Sequence, residues 1–155
     1  MNLTSLEAKM ATYSIYYAGI SLNTHQKFTL AQAITNIHAN VTGAEAYFAQ
    51  VIFKELSLHD CFIGGILLDQ HHIFMSGQIR LGRSEQVKKQ LLIEIEIAIQ
   101  MTTKLSSHQI WAYLDELAPS LMIEYGQILP SVGNDKVWFS TLPDSIQKKL
   151  IWLNS

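Results

Sequence analysis

Arg80 and Arg83 bracket the segment Arg80-Leu81-Gly82-Arg83-Ser84, where a strand is expected to give way to a helix. Free amide N–H groups and the helix dipole favour an anion at such a point. Two guanidinium groups add permanently charged, bidentate donors suited to carboxylate or phosphate. A pair of solvated arginines flanking a turn is the plainer alternative. With only 11 basic residues in the chain, the anion site is the preferred reading. Glu124 stands in the apolar run Leu121-Met122-Ile123-Glu124-Tyr125, where a carboxyl can have a raised pKa and serve as a general base. A lone residue of this kind is more often at an exposed edge or in an ion pair. Tyr113, within Trp111-Ala112-Tyr113, can orient a water or a substrate oxygen, although buried tyrosine is usually core. His38 falls on an apolar helical stripe, where a histidine is normally a satisfied core or interface residue.

Other residue types carry less. His71 and His72 are adjacent, and neighbours in a strand point to opposite faces, so they do not readily share one ion. With one cysteine and no His-Glu-x-x-His spacing, no metal site is expected. Cys61 reads as a buried small hydrophobe. A glycine-rich phosphate loop is absent, and no cofactor is expected.

The elements that must position these residues come in two similar runs. Residues 12–18 are β-branched and aromatic and suit a strand. Asn23 can cap a following helix, with Gln26 at the capping-box spacing. Phe28, Ala31, Ile34, His38 and Val41 then recur on one helical face, and Thr42-Gly43 ends it. Residues 49–55 read as a second strand. The pattern returns about sixty residues later, with a strand over 73–80, a turn at Leu81-Gly82-Arg83, and Ser84 as N-cap with Glu85 behind it. A helix over 85–105 and a strand over 109–114 follow. Leu91 to Ile99 alternates like an exposed strand, but a strand of about twenty residues is implausible against a usual five or six.

The expected fold class is therefore α+β, with duplicated βαβ units (about 11–56 and 72–115) forming a four-stranded core sheet with two helices on one face. The other face stays uncovered in a monomer. Residues 61–69 are expected to add a short strand. After Glu116 the chain is expected to be irregular until a helix near 144–152 with Asp144 as its cap.

A chain of 155 residues fits a single domain, taken as 11–155 with a tail over 116–155 and an N-terminal extension over 1–10. Charged residues make up 15%, well under the usual quarter, so subunit contacts are expected to cover part of the surface. A net charge of −2 selects for neither nucleic acid nor an anionic membrane. One cysteine excludes an intrachain disulfide and points to a reducing, cytoplasmic setting. The opening run, with Glu7 and Lys9, reads as neither a signal peptide nor a membrane helix.

Taken together, these residues resemble the tautomerase superfamily, and within it the cis-3-chloroacrylic acid dehalogenase branch. The likeness runs from Ala11 to about Phe139. It includes Ala33-Ile34-Thr35 with His38, Thr42-Gly43, Ala49-Gln50-Val51, Phe53, Ile73-Phe74, Gly77 and Arg80. It continues through Gly82-Arg83-Ser84, Ile110-Trp111, Tyr113, Glu124-Tyr125-Gly126, Leu129-Pro130 and Trp138-Phe139. The resemblance implies the tautomerase fold, a homotrimer and a small unsaturated or keto carboxylate as substrate or ligand. It implies that Arg80 and Arg83 hold the carboxylate and that Glu124, helped by Tyr113, activates a water towards the β-carbon. His38 then assists positioning, and an N-terminal proline protonates the α-carbon.

Here Ala11 occupies the proline position, behind ten residues. With Met10 attached, its nitrogen is an amide with a delocalised lone pair, neither acid nor base at neutral pH. If translation starts at Met10 and that methionine is removed, Ala11 supplies an ordinary α-amine and joins the catalytic residues. The two expectations are a hydratase- or tautomerase-like enzyme and a catalytically silent protein that binds a small carboxylate or a partner.

Overall fold

A computed structural model describes residues 11–131 and 133–155; the expected extension over 1–10 lies outside them. Strand β1 (Ala11–Ala18) leads into helix α1 (Thr24–Thr42) and parallel strand β2 (Ala49–Leu56). After a hairpin of β3 (Phe62–Ile63) and β4 (Ile66–Leu67), the same sequence of elements repeats. Strand β5 (His72–Arg80), helix α2 (Glu85–Thr103) and β6 (Ile110–Leu117) are followed by the hairpin β7 (Ile123–Glu124) and β8 (Gln127–Ile128). Helices α3 (Asp135–Ser140) and α4 (Asp144–Leu153) close the chain. The main sheet has the order β2-β1-β5-β6, with β1 and β5 antiparallel at the centre.

Local chemistry explains the boundaries. Asn23 and Gln26 form a reciprocal capping box, and Gly43 ends α1 in the left-handed conformation. Ser84 accepts from the Val87 N–H to start α2. One face of the sheet carries Tyr13, Ile15, Tyr17, Ile73, Met75 and Ile79, all buried. Leu30, Ile34 and His38 of α1 and Leu91, Ile95 and Ile99 of α2 pack over them. The alternation in 91–99 thus belongs to a helix, its glutamates standing between the core-facing residues. No described helix is long and apolar enough to cross a membrane.

Several expectations need correction. Phe28 is not on the buried face of α1 but well exposed, the core stripe being Leu30, Ile34, His38 and Thr42. The single strand expected over 61–69 is a two-stranded hairpin turning on Gly64 and Gly65, both with positive φ. The stretch after Glu116 is not irregular but holds β7, β8 and α3. The second of these hairpins and the tail form a small core of their own from Leu129, Trp138, Leu142 and Leu150 around Phe48. Pro143, not Asp144, is the N-cap of α4. Cys61 is half-exposed rather than buried, because it lies at the start of the first hairpin rather than in the sheet.

The repeat is regular enough to compare residue by residue. The same interval separates Asn23 from Ser84, Gly43 from Lys104, Ala49 from Ile110 and Gly65 from Gly126. Near the helix ends, Thr42 Oγ1 donates to the His38 carbonyl as Thr103 Oγ1 donates to that of Ile99.

Gly77 of β5 stands where a side chain would be crowded. A Cβ there would stand 2.6 Å from Leu114 Cδ2 and 3.0 Å from the Tyr13 ring. Gly77→Ala is expected to cost about 1–3 kcal/mol through overpacking, seen as a lower urea midpoint at unchanged slope. An unchanged midpoint would mean that the neighbours move aside freely.

Candidate active site

A cavity of about 670 Å³ opens at the end of the sheet where β1 and β2 begin. Ala11, Thr35, Tyr47 and Gln50 line it from one side, and Glu124 and Tyr125 from the second hairpin. The β7–β8 turn needs left-handed backbone at both central residues, Tyr125 (φ 51°) and Gly126 (φ 80°). The first hairpin has glycine at both equivalent positions. Tyr125 is therefore held where a side chain is disfavoured, and its hydroxyl donates to the Tyr47 carbonyl at 2.7 Å. That bond ties the hairpin to the turn at Ala46–Phe48 and fixes the carboxyl of Glu124 beside the start of β1.

Burial pushes the Glu124 pKa up from 4.5 to about 7, the positive charge of Arg80 pulling against it. Arg80 ends β5 and is 1% exposed. Its Nη1 donates to the Pro130 carbonyl at 2.8 Å and to Asp135 Oδ1 at 3.0 Å. Its Nε and Nη2 are buried and have no hydrogen-bond partner among the described residues. Arg83 is 8% exposed and close enough to Tyr13 for its charge to act on that hydroxyl. Neither arginine is the solvated residue of the plainer sequence reading.

His38 lies beneath this end of the sheet, fully buried, with Nδ1 2.8 Å from the Tyr13 hydroxyl. It sits one helical turn beyond Thr35, and Tyr13 is two residues beyond Ala11 on β1. Tyr113 is elsewhere. It is 55% exposed on the uncovered face of the edge strand β6, its ring edge-on to Phe74 at 5.1 Å, and it does not line the Glu124 cavity. Within one chain the structure thus groups Ala11 with Glu124, brings Arg80 close enough for its charge to act on Glu124, and links Arg83, Tyr13 and His38. Tyr113 stays apart. Sequence reasoning missed Asp135, the buried counterion of Arg80, and Tyr13, the partner of His38. An acidic residue next to Asn134 reads as ordinary helix-start chemistry, and Tyr13 reads as core.

The internal repeat isolates the same residues. The positions matching His38, Arg83, Tyr113 and Glu124 in the other half hold Ile99, Leu22, Ile52 and Ile63. Arg80, the last residue of β5, matches Ala18, the last of β1. Each polar candidate replaces an apolar residue of the other unit.

Residues 10–141 match the family model Tautomerase_3, described as "Putative oxalocrotonate tautomerase enzyme". The chain belongs to the tautomerase superfamily. The structure of N1, a member of the cis-3-chloroacrylic acid dehalogenase family, is 30% identical with a TM-score of 0.83, covering 90% of this chain and 97% of N1. This places the chain among the cis-3-chloroacrylic acid dehalogenase-like members. The structure of native Ps01740 is 27% identical with a TM-score of 0.68, covering 73% of this chain and 99% of that one. A fused 4-OT, solved as a symmetric trimer, shares the fold at 14% identity and a TM-score of 0.69, covering 76% and 94%. No curated protein sequence matches the chain.

The raised Glu124 pKa of this superfamily member has a measurable cost. The unfolded carboxyl ionises around 4.5 and the folded one around 7. The folded state therefore loses stability as pH rises between those values, and the loss persists above them. Denaturant stability of the wild type is expected to fall from about pH 5 to about pH 8, and that of Glu124→Gln to fall less. Parallel profiles would show that Glu124 titrates normally.

Proposed function

We propose that this tautomerase-superfamily chain acts on a small unsaturated or keto carboxylate by hydration or proton transfer. The observation that carries the reading is Glu124, a buried carboxyl with its pKa near neutrality. It shares a cavity with Ala11 and lies next to a buried guanidinium with two uncommitted nitrogens. Arg80 and Arg83 bind the substrate carboxylate and draw electron density towards it. Glu124, as carboxylate, takes a proton from water while the water oxygen bonds to the β-carbon. The displaced electron pair is held as an enolate of the carboxylate against the guanidinium groups until the α-carbon takes up a proton.

The source of that proton divides two readings. Where Ala11 is the first residue, its ammonium group supplies it. With Met10 attached, the Ala11 nitrogen is an amide, and this favours the second reading, a protein that binds the carboxylate without turnover.

Glu124→Gln is expected to lower turnover about 10²- to 10⁴-fold and leave carboxylate binding measurable by calorimetry. Turnover in the wild type should rise as pH passes about 7, where Glu124 loses its proton. A wild type inert across a panel of unsaturated and keto acids, yet binding them, would select the second reading.

The proposed assembly is a homotrimer. The uncovered sheet face exposes Ile52, Trp111 and Tyr113, and both hairpins expose apolar side chains. Tyr113 then joins a Glu124 cavity only across a subunit boundary. Co-refolding equal amounts of Glu124→Gln and Tyr113→Phe chains is expected to restore about a quarter of the wild-type sites, since each restored site needs one intact residue from each of two subunits. A mixture no more active than its parts would place both residues in one subunit's site, or Tyr113 outside it.

A further inference from the structure

We propose that Tyr13 is a positioning residue that holds His38 as the neutral imidazole with its proton on Nε2. His38 is then a hydrogen-bond donor, not a base. The pair is fully buried, with the Tyr13 oxygen 2.8 Å from Nδ1 and the rings edge-on at 5.7 Å and 71°. Two arrangements satisfy that distance, phenol donating to Nδ1 or Nδ1–H donating to the phenol oxygen.

Three observations favour the first. Burial keeps the hydroxyl protonated, so a donor is always present. Arg83 acts on the same hydroxyl with a positive charge, which attracts the oxygen lone pairs and turns the O–H towards Nδ1. That cation also disfavours a second positive charge on the neighbouring imidazole. The geometry is held from both sides. The Tyr13 ring packs over Gly77, where an added Cβ would come within 3.0 Å of it, and Thr42 bonds the His38 carbonyl at 2.5 Å. The other unit holds Met75 and Ile99 at the matching positions, so the fold itself does not require the pair.

The tautomer is independent of turnover, while its catalytic consequence rests on the function proposed above. Ring nitrogen shifts of ¹⁵N-histidine-labelled protein read it directly, with His38 recognised among the six histidines by the signal that His38→Gln removes. The expected wild-type spectrum at neutral pH has an unprotonated Nδ1 and a protonated Nε2. Tyr13→Phe, which removes only the donor, should give a population-averaged signal with both nitrogens partly protonated. A wild type with the proton on Nδ1, or with both nitrogens protonated, overturns the proposal. So does a folded Tyr13→Phe chain with the wild-type signature. If no substrate is ever turned over, the proposed reaction fails and the tautomer prediction still stands or falls on the spectrum.

Discussion

A guanidinium group cannot lose its proton inside a protein, so burying Arg80 obliges the rest of the chain to neutralise and bond it. The carboxylate that does so, Asp135, comes from a helix beyond the second βαβ unit, and the carbonyl of Pro130 takes a further N–H. The tail is therefore tied to the end of β5, and its apolar side chains close round Phe48 beside the turn that receives the Tyr125 hydroxyl. Two acceptors on Nη1 do not exhaust the group. With Nε and Nη2 unpartnered among the described residues, the group keeps donors for the carboxylate proposed as substrate. The charge of Arg80 acts on Glu124, but desolvation of that carboxyl exceeds the attraction and raises its pKa to about 7. The two effects together leave a permanent cation acting on a carboxyl that titrates near neutrality.

The duplication clarifies why one chain carries one such site. Two units with matching caps, strands and hairpins share a sheet, and symmetry alone would predict two equivalent cavities. The polar candidates break that symmetry against isoleucine, leucine or alanine in the other half. Packing is nearly satisfied by either choice on the hairpin and at the strand ends. Buried charge is not, since it needs the Asp135 counterion, and only the second unit is followed by the tail that provides one.

Much of the fold was legible because its elements are long and regular. Capping at Asn23 and Ser84 and the left-handed end at Gly43 are local signals with known causes, while α2 was read from its length and cap against a strand-like alternation. What escaped was short or distant. Two-residue strands have no periodicity to detect, so both hairpins were invisible, including the one that aims Glu124. Phe28 shows the converse error, an apolar residue assigned to the core by spacing alone. The arginines were recognisable by type and position, but their burial was not, because it depends on a segment about fifty residues later. Tyr113 was placed on a strand correctly, while its separation from Glu124 follows from strand order, which the alternation of residues does not encode.

Among the candidate residues at this end of the sheet, acid–base capacity near neutrality concentrates in Glu124, which lines the cavity. Tyr13 keeps its proton because of burial, and both arginines keep theirs at any relevant pH. An Ala11 nitrogen in a peptide bond contributes nothing to proton transfer. A neutral, donating His38 would orient without exchanging charge. Among these described residues, Glu124 is then the group able to accept a proton near neutrality. In the proposed reaction it takes a proton from water while the arginines hold the enolate. Net addition of water needs a second donor, and a free α-amine at Ala11 supplies it. Under the proposed function, the choice between turnover and binding alone therefore reduces to whether one nitrogen is an amine or an amide.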